Sequence, residues 1–399
     1  MHPSQDIKGI KSNFLQNKRI VLGVTGSIAA VETIKLAREL IRHGADVLSV
    51  MTPAATKIIH PDTLWFATGK KPIIQLTGDT EHVSFCGNVK DPVDLLIISP
   101  CTANTLSKIA NGIDDTAVTT FATTAIGAKH KVLIVPAMHR SMYDHHIVQQ
   151  NISILKKNNI SFVDPFLERN KAKLASTDEI SAKVIRLISS HTLENKKVLI
   201  IGGSCCEPID AVRSLCNHSS GKTAISFAKH VYHQGGDVVL WYGKSPELVP
   251  NFISEKGFQT IDDVKDLINE TDMESFDIII VCAALSDFIP ENISGKIGSD
   301  KESLMVSCKK ADKILEIIRE KTETSIIVGF KLGTDEKSVL KKAQILQKEQ
   351  MLDYVVANTT SAIGTNDTDA WIIKRSKIIP IKGSKDHLAE SLFNEIVSK

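Results

Sequence analysis

The chain has 399 residues, and its shares of apolar (42%) and charged (24%) residues are ordinary for a globular protein, which excludes the disordered and collagen-like classes. Lys and Arg number 48 against 46 Asp and Glu, so the formal charge of +2 indicates no nucleic-acid-binding surface. The seven cysteines contain no CxxC pair, which favours a reducing compartment and argues against an all-cysteine zinc site.

The first half of the chain alternates between strand-like and helix-like segments. Four stretches have the apolar character of buried strands: KRIVLGVTG (18–26), ADVLSVMT (45–52), VDLLIISP (93–100) and KVLIVPAM (131–138). Three others have helical features, the last with a capping signal at its start: SIAAVETIKLARELIRHG (27–44), TANTLSKIANG (102–112) and STDEISAKVIRLISSH (176–191). Strand–helix–strand units of this kind require a parallel sheet.

The pattern restarts after the polar segment HTLENKK (191–197). A second series contains four strand-like stretches and one helix: KKVLIIGG (196–203), DVVLWYG (237–243), FDIIIVCAAL (276–285), SIIVGF (325–330) and the helix TAISFAKHVYHQGG (223–236). We therefore predict two domains, 1–190 and 191–399, each a doubly wound α/β fold with a mostly parallel sheet. Such sheets bind ligands beyond the carboxyl ends of their strands, so the residues that follow each strand are the candidates for function.

Three strand ends of the first half suit a cofactor with a phosphate and a flat ring. Gly26 and Ser27 follow the first strand, where a tight turn and helix N–H groups can hold a phosphate. Thr102 and Asn104 occupy a similar turn after a later strand. Ordinary capping explains the same residues and is favoured for the first turn taken alone, although two such turns in one sheet raise the odds of a phosphate-bearing cofactor. Met138, at the third strand end, suits a flat ring as well as a core.

The histidines of the first half favour proton transfer over metal binding. His82 lies near a predicted short strand, and its pKa range suits proton transfer near neutral pH, although a lone histidine is more often structural. His145 and His146 indicate a solvated surface pair, and no metal-ligand spacing is present. The sequence therefore predicts no metal ligands from the protein.

The densest motif of the second half is GGSCCEPIDAVRSLCNHSSGKTAISFAKH (202–230). Its CNHSSGKT nearly matches a P-loop, but Cys216 replaces the first glycine and no strand directly precedes it, so we reject that interpretation. Four residues at the next helix start can hold an anion through backbone N–H groups and a positive charge: Ser219, Ser220, Gly221 and Lys222. Further on, Asp287 can accept from hydroxyl or amino donors and Lys296 can neutralise phosphate, although a loop salt bridge explains both equally well.

Motifs of the first half together resemble the flavin-dependent cysteine decarboxylases, in particular phosphopantothenoylcysteine decarboxylase: GVTGSIAA, EHVSF, VDLLIISPCTANTLSKIANGIDDT and PAMHRSM, spread over most of residues 18–190. The resemblance implies a flavodoxin-like domain that binds FMN. Four residues would then lie near its phosphate and ribityl chain: Gly26, Ser27, Thr102 and Asn104. The resemblance also implies Met138 beside the flavin ring and His82 as the catalytic histidine.

The first half departs from that family in two places. His139 stands where the family has an asparagine that binds the substrate carboxylate, and an imidazole can still donate a hydrogen bond there. The flap cysteine of many relatives is missing, because no cysteine lies between Cys101 and Cys205. Lys171 and Lys173, in the flap segment DPFLERNKAKLAS, are candidates to replace it, and two solvated lysines on a loop explain the segment equally well.

The second half resembles phosphopantothenate–cysteine ligase through GGSCCEPIDAVR, NHSSGK, AALSDF, GKIGS, VGFK and DYVVANTTSAIGTND, over about residues 196–375. The resemblance implies a Rossmann-like domain that uses CTP and Mg2+ to activate 4'-phosphopantothenate as an acyl-cytidylate, from which L-cysteine displaces CMP. Asn217 would bind the acyl group, and Lys296 would contact CTP and serve the second half-reaction. Further matches to nucleotide-contacting positions are Ala283, Asp287, Asp312 and Phe330. The lysines that relatives have before the last of these motifs are displaced in this chain, and Lys348 is the candidate lysine that lies nearby.

The second half also contains an adjacent pair of cysteines, where relatives commonly have Thr and Arg. A disulfide between neighbouring residues is strained. Cys205 and Cys206 are therefore predicted to be reduced thiols near the site.

The two resemblances predict a bifunctional enzyme of coenzyme A biosynthesis, whose decarboxylase half makes 4'-phosphopantetheine from the product of the ligase half. Two alternatives stay open: a chain with an altered or inactive decarboxylase half, and a flavin-binding regulatory protein. The expected partners are small-molecule substrates, without nucleic acid or membrane, and the resemblance implies a homo-oligomer. The longest apolar stretch is far short of the ~20 residues that span a bilayer, and the polar start lacks a signal-peptide core, so we predict a cytoplasmic protein.

Overall fold

The computed structural model describes residues 2–298, 303–362 and 364–398, so Ser299 and Ile363 of the ligase-like motifs lie outside the described residues. The chain divides into two compact units, Met1–Ser190 and His191–Lys399. Each unit is built around one mostly parallel sheet with apolar clusters on both of its faces. The predicted fold class is therefore confirmed.

The first unit has a five-stranded parallel sheet and a small antiparallel sheet. Its strands are β1 (Arg19–Val24), β2 (Asp46–Met51), β3 (Leu95–Cys101), β4 (Val132–Pro136), β5 (Met138–His139), β6 (Ser161–Phe162), β7 (Phe166–Glu168) and β8 (Lys171–Lys173). Its helices are α1 (Pro3–Asp6), α2 (Thr33–Arg42), α3 (Pro61–Thr68), α4 (Glu81–Cys86), α5 (Ala103–Ala110), α6 (Ala117–Gly127), α7 (Arg140–Tyr143), α8 (His146–Lys157) and α9 (Thr177–Ile188), with 3₁₀ turns at Ile28–Glu32 and Ala55–Lys57. The large sheet has the order β2–β1–β3–β4–β6, the flavodoxin-like order, in which ligands bind near the β1/β3 switch point.

Burial on both faces explains why the strands of the first sheet are continuous apolar runs. Helices α2, α3 and α9 contribute to the apolar cluster on one face, and α5, α6 and α8 to the cluster on the other. The predicted capping box begins α9: Oγ of Ser176 accepts from the backbone N of Glu179, whose carboxylate accepts from the backbone N of Ser176. That prediction is confirmed.

The second unit has an eight-stranded mixed sheet. Its strands are β9 (Lys197–Gly202), β10 (Cys206–Pro208), β11 (Ser214–Cys216), β12 (Asp237–Tyr242), β13 (Glu255–Gly257), β14 (Ile278–Val281), β15 (Phe288–Pro290), β16 (Cys308–Lys310), β17 (Ile326–Gly333), β18 (Tyr354–Thr359), β19 (Asp367–Lys374) and β20 (Lys377–Ser384). Its helices are α10 (Lys222–His233), α11 (Ile261–Glu270), α12 (Ile314–Lys321), α13 (Glu336–Glu349) and α14 (Lys385–Val397), with 3₁₀ turns at Met273–Ser275 and Thr360–Ala362. The order is β13–β12–β9–β14–β17–β18–β19–β20, parallel through β18 and antiparallel beyond it. The first six strands have the Rossmann order, whose switch point lies between β9 and β14.

Helices cover both faces of the second sheet. Helices α10 and α14 pack on one face, and α11, α12 and α13 pack on the other. Among the described residues, no helix combines the length and apolar character needed to cross a membrane.

The cysteines of the second unit differ from the expectation. Cys206 and Cys216 face each other across the antiparallel β10–β11 hairpin and form a disulfide, so the prediction of a reduced Cys206 is wrong. Its partner is not the neighbouring cysteine but one that strand pairing brings opposite to it. Cys205 is free and buried, and burial raises the pKa of its thiol to about 12.

Candidate active sites

The first candidate site lies at the carboxyl ends of the neighbouring strands β1 and β3. Thr25, directly after β1, is buried and ties the two strand ends together: its Oγ1 donates to the carbonyl of Pro100 at 2.8 Å and accepts from the backbone N of Thr102 at 3.1 Å. Because one hydroxyl makes both bonds, the turns that carry Ser27 and Thr102 are held side by side. The sequence motif does not single out Thr25, although its place between a buried strand and a glycine turn is a signal.

Both hydroxyl residues of these turns cap helices. Oγ of Ser27 accepts from the backbone N of Ala29 at 3.4 Å, and Oγ1 of Thr102 accepts from the backbone N of Thr105 at 3.3 Å. Asn104, in the first turn of α5, is exposed. Capping does not exclude phosphate binding, because a helix start has further N–H groups without an intrahelical partner.

His82 lies in helix α4, so the expectation of a short strand there is wrong. The carboxylate of Glu81 accepts from the backbone N and Oγ1 of Thr77 at 3.0 and 2.7 Å, which closes a turn before the helix, and Cys86 packs into the core at its end. Nδ1 of His82 is buried and has no hydrogen-bond partner among the described residues.

The segment predicted as a flap forms a hairpin of β7 and β8 that pairs with β5. In that pairing Met138 lies opposite Ala172, and His139 lies opposite Lys171. Met138 is half-buried against the core, whereas His139 is exposed, with its Nδ1 3.0 Å from Oγ of Ser141. The hairpin therefore places flap residues beside both of the residues expected to contact flavin and substrate.

The two flap lysines have different surroundings. The ammonium of Lys173 pairs with the carboxylate of Glu168 on the opposite strand, whereas Lys171 is exposed beside His139 in the strand register. Phe166 and Leu167 of the same hairpin are also exposed. Of the two lysines, Lys171 is the one whose position suits contact with a substrate.

The second candidate site is a cleft of about 770 Å³ at the carboxyl ends of β14, β17 and β18, a size that suits a nucleotide. The cleft brings together seven residues selected from the sequence: Asn217, Ser219, Ser220, Ala283, Asp287, Asp312 and Phe330. Within the described ranges, four other selected residues do not line it: Gly221, Lys222, Lys296 and Lys348.

Asn217 follows the disulfide-linked hairpin and is anchored in the cleft. Its Nδ2 donates to the carbonyls of Ala284 and Leu285 at 3.2 and 2.9 Å, in the turn after β14. Gly221, four residues later, has a φ of +76° and packs closely against Tyr242, because a Cβ there would lie 1.8 Å from Oη of Tyr242. The start of α10 can therefore pack this closely only with glycine at that position.

Both selected aspartates of the cleft make ion pairs. Oδ1 of Asp287 lies 2.6 Å from Nζ of Lys313, and Oδ2 of Asp312 lies 2.7 Å from Nζ of Lys265. The hydrogen bond from Lys265 holds the pKa of Asp312 below its usual value. Asp287 therefore forms the loop salt bridge that the sequence allowed as an alternative. A nucleotide hydroxyl that binds its carboxylate would have to share it with the ammonium group of Lys313 or displace that group.

The lysines of the cleft differ from the three selected from the sequence, Lys222, Lys296 and Lys348. The cleft face of α13 carries Lys342, Ile345, Leu346 and Glu349, at the helical spacing i, i+3, i+4 and i+7, and Lys348 falls outside that face. Four lysines that were not selected from the sequence line the cleft: Lys313, Lys331, Lys342 and Lys385. Lys331 follows Phe330 directly, so the strand-end argument could have found it, whereas Lys385 comes from the last helix and no local pattern marks it.

Lys296 lies outside the cleft, on a loop attached to the β10–β11 hairpin, and is exposed. The buried carboxylate of Asp210 accepts from the backbone N of Ile297 at 3.0 Å and from those of Val212 and Arg213 at 2.8 and 2.7 Å. Burial alone would raise the pKa of Asp210, but these amide donors outweigh it and hold the pKa well below its usual range. Asp210 therefore fixes the backbone beside Lys296.

Comparison with known proteins gives a family for each unit. Residues 9–189 match the family model described as Flavoprotein, and residues 193–399 match the DNA/pantothenate metabolism flavoprotein C-terminal domain. The chain is similar to the coenzyme A biosynthesis bifunctional protein CoaBC of Thermococcus kodakarensis, with 40% identity over 99% of both chains. The CoaBC protein of Methanocaldococcus jannaschii is 36% identical over 99% of this chain and 97% of its own. The solved FMN-dependent cysteine decarboxylase SpaF is 28% identical, over 43% of this chain and 97% of its own, with a TM-score of 0.37.

Proposed function

This chain belongs to the family of the coenzyme A biosynthesis bifunctional protein CoaBC, and from that membership we propose that its two units catalyse consecutive steps of coenzyme A biosynthesis. The observation that carries the proposal is the 40% identity that extends over 99% of both chains, together with a family model on each unit. The unit 191–399 is the phosphopantothenate–cysteine ligase, and the unit 1–190 is the phosphopantothenoylcysteine decarboxylase.

The decarboxylase unit holds FMN at the carboxyl ends of β1 and β3. The residues there fit such a group: a Cβ at Gly26 would lie 2.6 Å from Cβ of Ala54, so only glycine allows this tight turn, and the buried Oγ of Ser99 has no partner among the described residues. Ser27, Thr102 and Asn104 provide hydroxyl and amide groups beside helix starts for the phosphate and ribityl chain. When bound, the flavin supplies reversible oxidation of the substrate.

The side chains of the decarboxylase unit bind the substrate and move protons. His82 is the proton-transfer group, because an imidazole can serve as general acid or base and its Nδ1 is buried without a partner among the described residues. His139 is exposed beside the flap hairpin and donates a hydrogen bond to the substrate carboxylate. Lys171 of that hairpin is the candidate proton donor in place of the missing flap cysteine.

The ligase unit activates the carboxylate of 4'-phosphopantothenate with CTP in the cleft. A carboxylate oxygen attacks the α-phosphorus of CTP and releases pyrophosphate, with Mg2+ neutralising the phosphates. The amine of L-cysteine then attacks the acyl carbon and releases CMP. Asn217 holds the acyl group, Ala283 and Phe330 contact the nucleotide, and Lys296 stabilises the charge that develops in the second step.

Incubation of the purified protein with 4'-phosphopantothenate, L-cysteine, CTP and Mg2+, followed by mass spectrometry of the products, tests the proposal. We expect 4'-phosphopantetheine and the release of CMP and pyrophosphate. Accumulation of 4'-phospho-N-pantothenoylcysteine without loss of CO2 would mean that the decarboxylase unit is altered, as the missing flap cysteine allows. No product from any of these substrates would contradict the ligase assignment.

Two further parts of the proposal concern the cell and the assembly. The protein acts on small molecules in the cytoplasm and forms a homo-oligomer, as its family resemblance implies. Size-exclusion chromatography with light scattering tests the assembly, and a strictly monomeric protein would contradict it.

A further inference from the structure

Two lysines from different helices meet at the end of the ligase cleft. Lys222 is the first residue of α10, and its Nζ donates to the carbonyl of Gly364 at 3.0 Å and to Oδ1 of Asn366 at 2.8 Å. Lys385 is the first residue of α14, and its Nζ donates to the carbonyls of Thr365 and Ala362 at 2.8 and 3.3 Å. Both ammonium groups therefore contact the same stretch of chain, through Ala362 and the residues Gly364, Thr365 and Asn366. Ala362 and Lys385 also line the cleft.

This pair is unusual because one member is buried. Lys385 is only 5% exposed, although lysine is almost never fully buried without a charged partner. Among the described residues, neither ammonium has a carboxylate within ion-pair distance, and the contacts above are to neutral oxygens. Burial lowers the pKa of Lys385, the neighbouring Lys222 lowers it further, and Glu247 offsets only part of this.

An anion bound between the two ammonium groups would stabilise them. Two like charges at close range destabilise each other, and burial removes the water that would screen them. A phosphate group reverses both effects, since it accepts charge-assisted hydrogen bonds from ammonium groups. The start of α10, next to Lys222, also contributes Ser219, Ser220 and Thr223 to the cleft lining, and their hydroxyls are further donors for phosphate oxygens.

We propose that Lys385 and Lys222 form one phosphate subsite at the end of the ligase cleft, with Lys385 as the buried cation that lines the cleft and Lys222 beside it, outside the lining. The proposal rests on the proposed ligase function only for the identity of the phosphate, which belongs either to the nucleotide triphosphate or to 4'-phosphopantothenate. The anion subsite is thus assembled from α10 and from the last helix of the chain, which explains why the sequence motif at 219–222 describes only half of it.

Calorimetric titration of the full chain with inorganic pyrophosphate tests the subsite. We expect Lys385→Met to weaken pyrophosphate binding roughly 10- to 100-fold, the range expected for loss of a charged hydrogen bond. Lys222→Met, at an exposed position, should weaken it by a smaller factor. The double variant should lose less than the product of the two factors, because both lysines hold one anion.

Lys382→Met is the matched control. Lys382 is exposed on β20, three residues before Lys385, and does not line the cleft, so this change removes the same charge without touching the subsite. Unchanged pyrophosphate affinity in a folded Lys385→Met protein, or equal losses in Lys385→Met and Lys382→Met, would overturn the proposal. If Lys385→Met does not fold, Lys222→Met decides alone, and wild-type affinity in that variant would overturn the two-lysine subsite.

Affinities for two pairs of ligands then show which substrate's phosphate binds at the subsite. If the subsite serves the nucleotide, Lys385→Met should lose affinity for CTP but not for CMP. If it serves the other substrate, the variant should lose the preference for 4'-phosphopantothenate over pantothenate. A wild-type protein that binds pyrophosphate through these lysines yet forms no acyl-cytidylate would contradict the proposed function and leave the subsite intact.

Discussion

The two units share a doubly wound sheet but surround their candidate sites differently. In the second unit, seven residues chosen from the sequence line one cleft of about 770 Å³, whose walls come from the start of α10, the start of α12, one face of α13 and the start of α14. In the first unit, the chosen residues lie in the turns after β1 and β3 and on the separate elements α4, α5 and β5, and Asn104 and His139 are exposed. The sheet therefore locates a site in both units, but the elements after the strands decide how far one unit encloses it.

The charges of the two sites differ as well. In the ligase cleft the acidic candidates Asp287 and Asp312 are already paired with lysines. In the decarboxylase unit His82 has a buried nitrogen without a partner among the described residues. The acidic candidates of the ligase cleft therefore already have partners, whereas the buried nitrogen of His82 has none among the described residues.

The largest effect is expected at His82. His82→Asn should lower the rate of CO2 release by roughly 10²–10⁴-fold, because an amide cannot take up a proton at neutral pH. The visible flavin spectrum should be retained, since Thr25, Ser27 and Thr102 hold the cofactor turns independently of α4. Stopped assays measure the rate of CO2 release, and absorbance spectra show whether the flavin is still bound.

His139→Asn is the matched control for that variant. It restores the residue of the family at an exposed position, so we expect activity within a few-fold of the wild type. Loss of CO2 release as complete as in His82→Asn would mean that the imidazole of His139 transfers a proton itself.

The next effect is expected at Lys296, which separates the two ligase steps. Lys296→Gln should slow formation of phosphopantothenoylcysteine by about a hundred- to a thousandfold, the cost of losing a preorganised donor to a developing oxyanion. Because Lys296 is exposed on a loop outside the cleft, pyrophosphate release in the first turnover should persist and the acyl-cytidylate should accumulate. Parallel loss of both steps in a quenched time course would show that Lys296 binds CTP in the ground state.

The sequence predicts the sheets because buried parallel strands are apolar runs of definite length, and it predicts turns such as Thr102 because caps have local chemistry. It fails where contacts depend on pairing between distant segments. The bond between Thr25 and Pro100, the disulfide of Cys206 with Cys216, and the approach of Lys385 to Lys222 are of this kind. A short strand is expected near His82, and the turn that Glu81 and Thr77 close before α4 is one of the contacts that the sequence pattern does not reveal.

The acid stability of the second unit should depend on His230. Burial lowers the pKa of His230 to about 4 from 6.5, and its ring stacks on Phe393 with centroids 5.2 Å apart. Above pH 6.5 the ring is neutral in both states, and between pH 6.5 and 4 only the unfolded chain takes up the proton, so stability is lost as the pH falls. The loss should reach roughly 3 kcal/mol, and His230→Phe should remove it. Calorimetric unfolding at pH 7 and pH 4.5 measures the difference, and an unchanged pH dependence in the variant would contradict this account.

A smaller effect is expected at Thr25, the link between the two strand ends of the first unit. Thr25→Val should destabilise the unit by about 1–3 kcal/mol, because it leaves the backbone N of Thr102 without its partner. It should also weaken FMN binding, since the two turns are no longer joined. Thr68→Val is the control, because Thr68 is equally buried and donates to the carbonyl of Leu64 in α3. Equal flavin affinity in the two variants, by fluorescence titration, would exclude a role for Thr25 in the site.

The smallest effect concerns the thiols beside Asn217. The structure has five free cysteines, and Cys206 and Cys216 form the disulfide at the base of the hairpin that leads to Asn217. Thiol titration of the unfolded, unreduced protein should therefore give five groups. Cys205→Ser should give one fewer, because that thiol is free, whereas Cys206→Ser should give one more, because it releases Cys216. A count of seven before reduction, the full number of cysteines in the chain, would show two thiols at this position. The cleft would then depend on strand pairing and on the amide of Asn217 alone to hold the hairpin against the turn after β14.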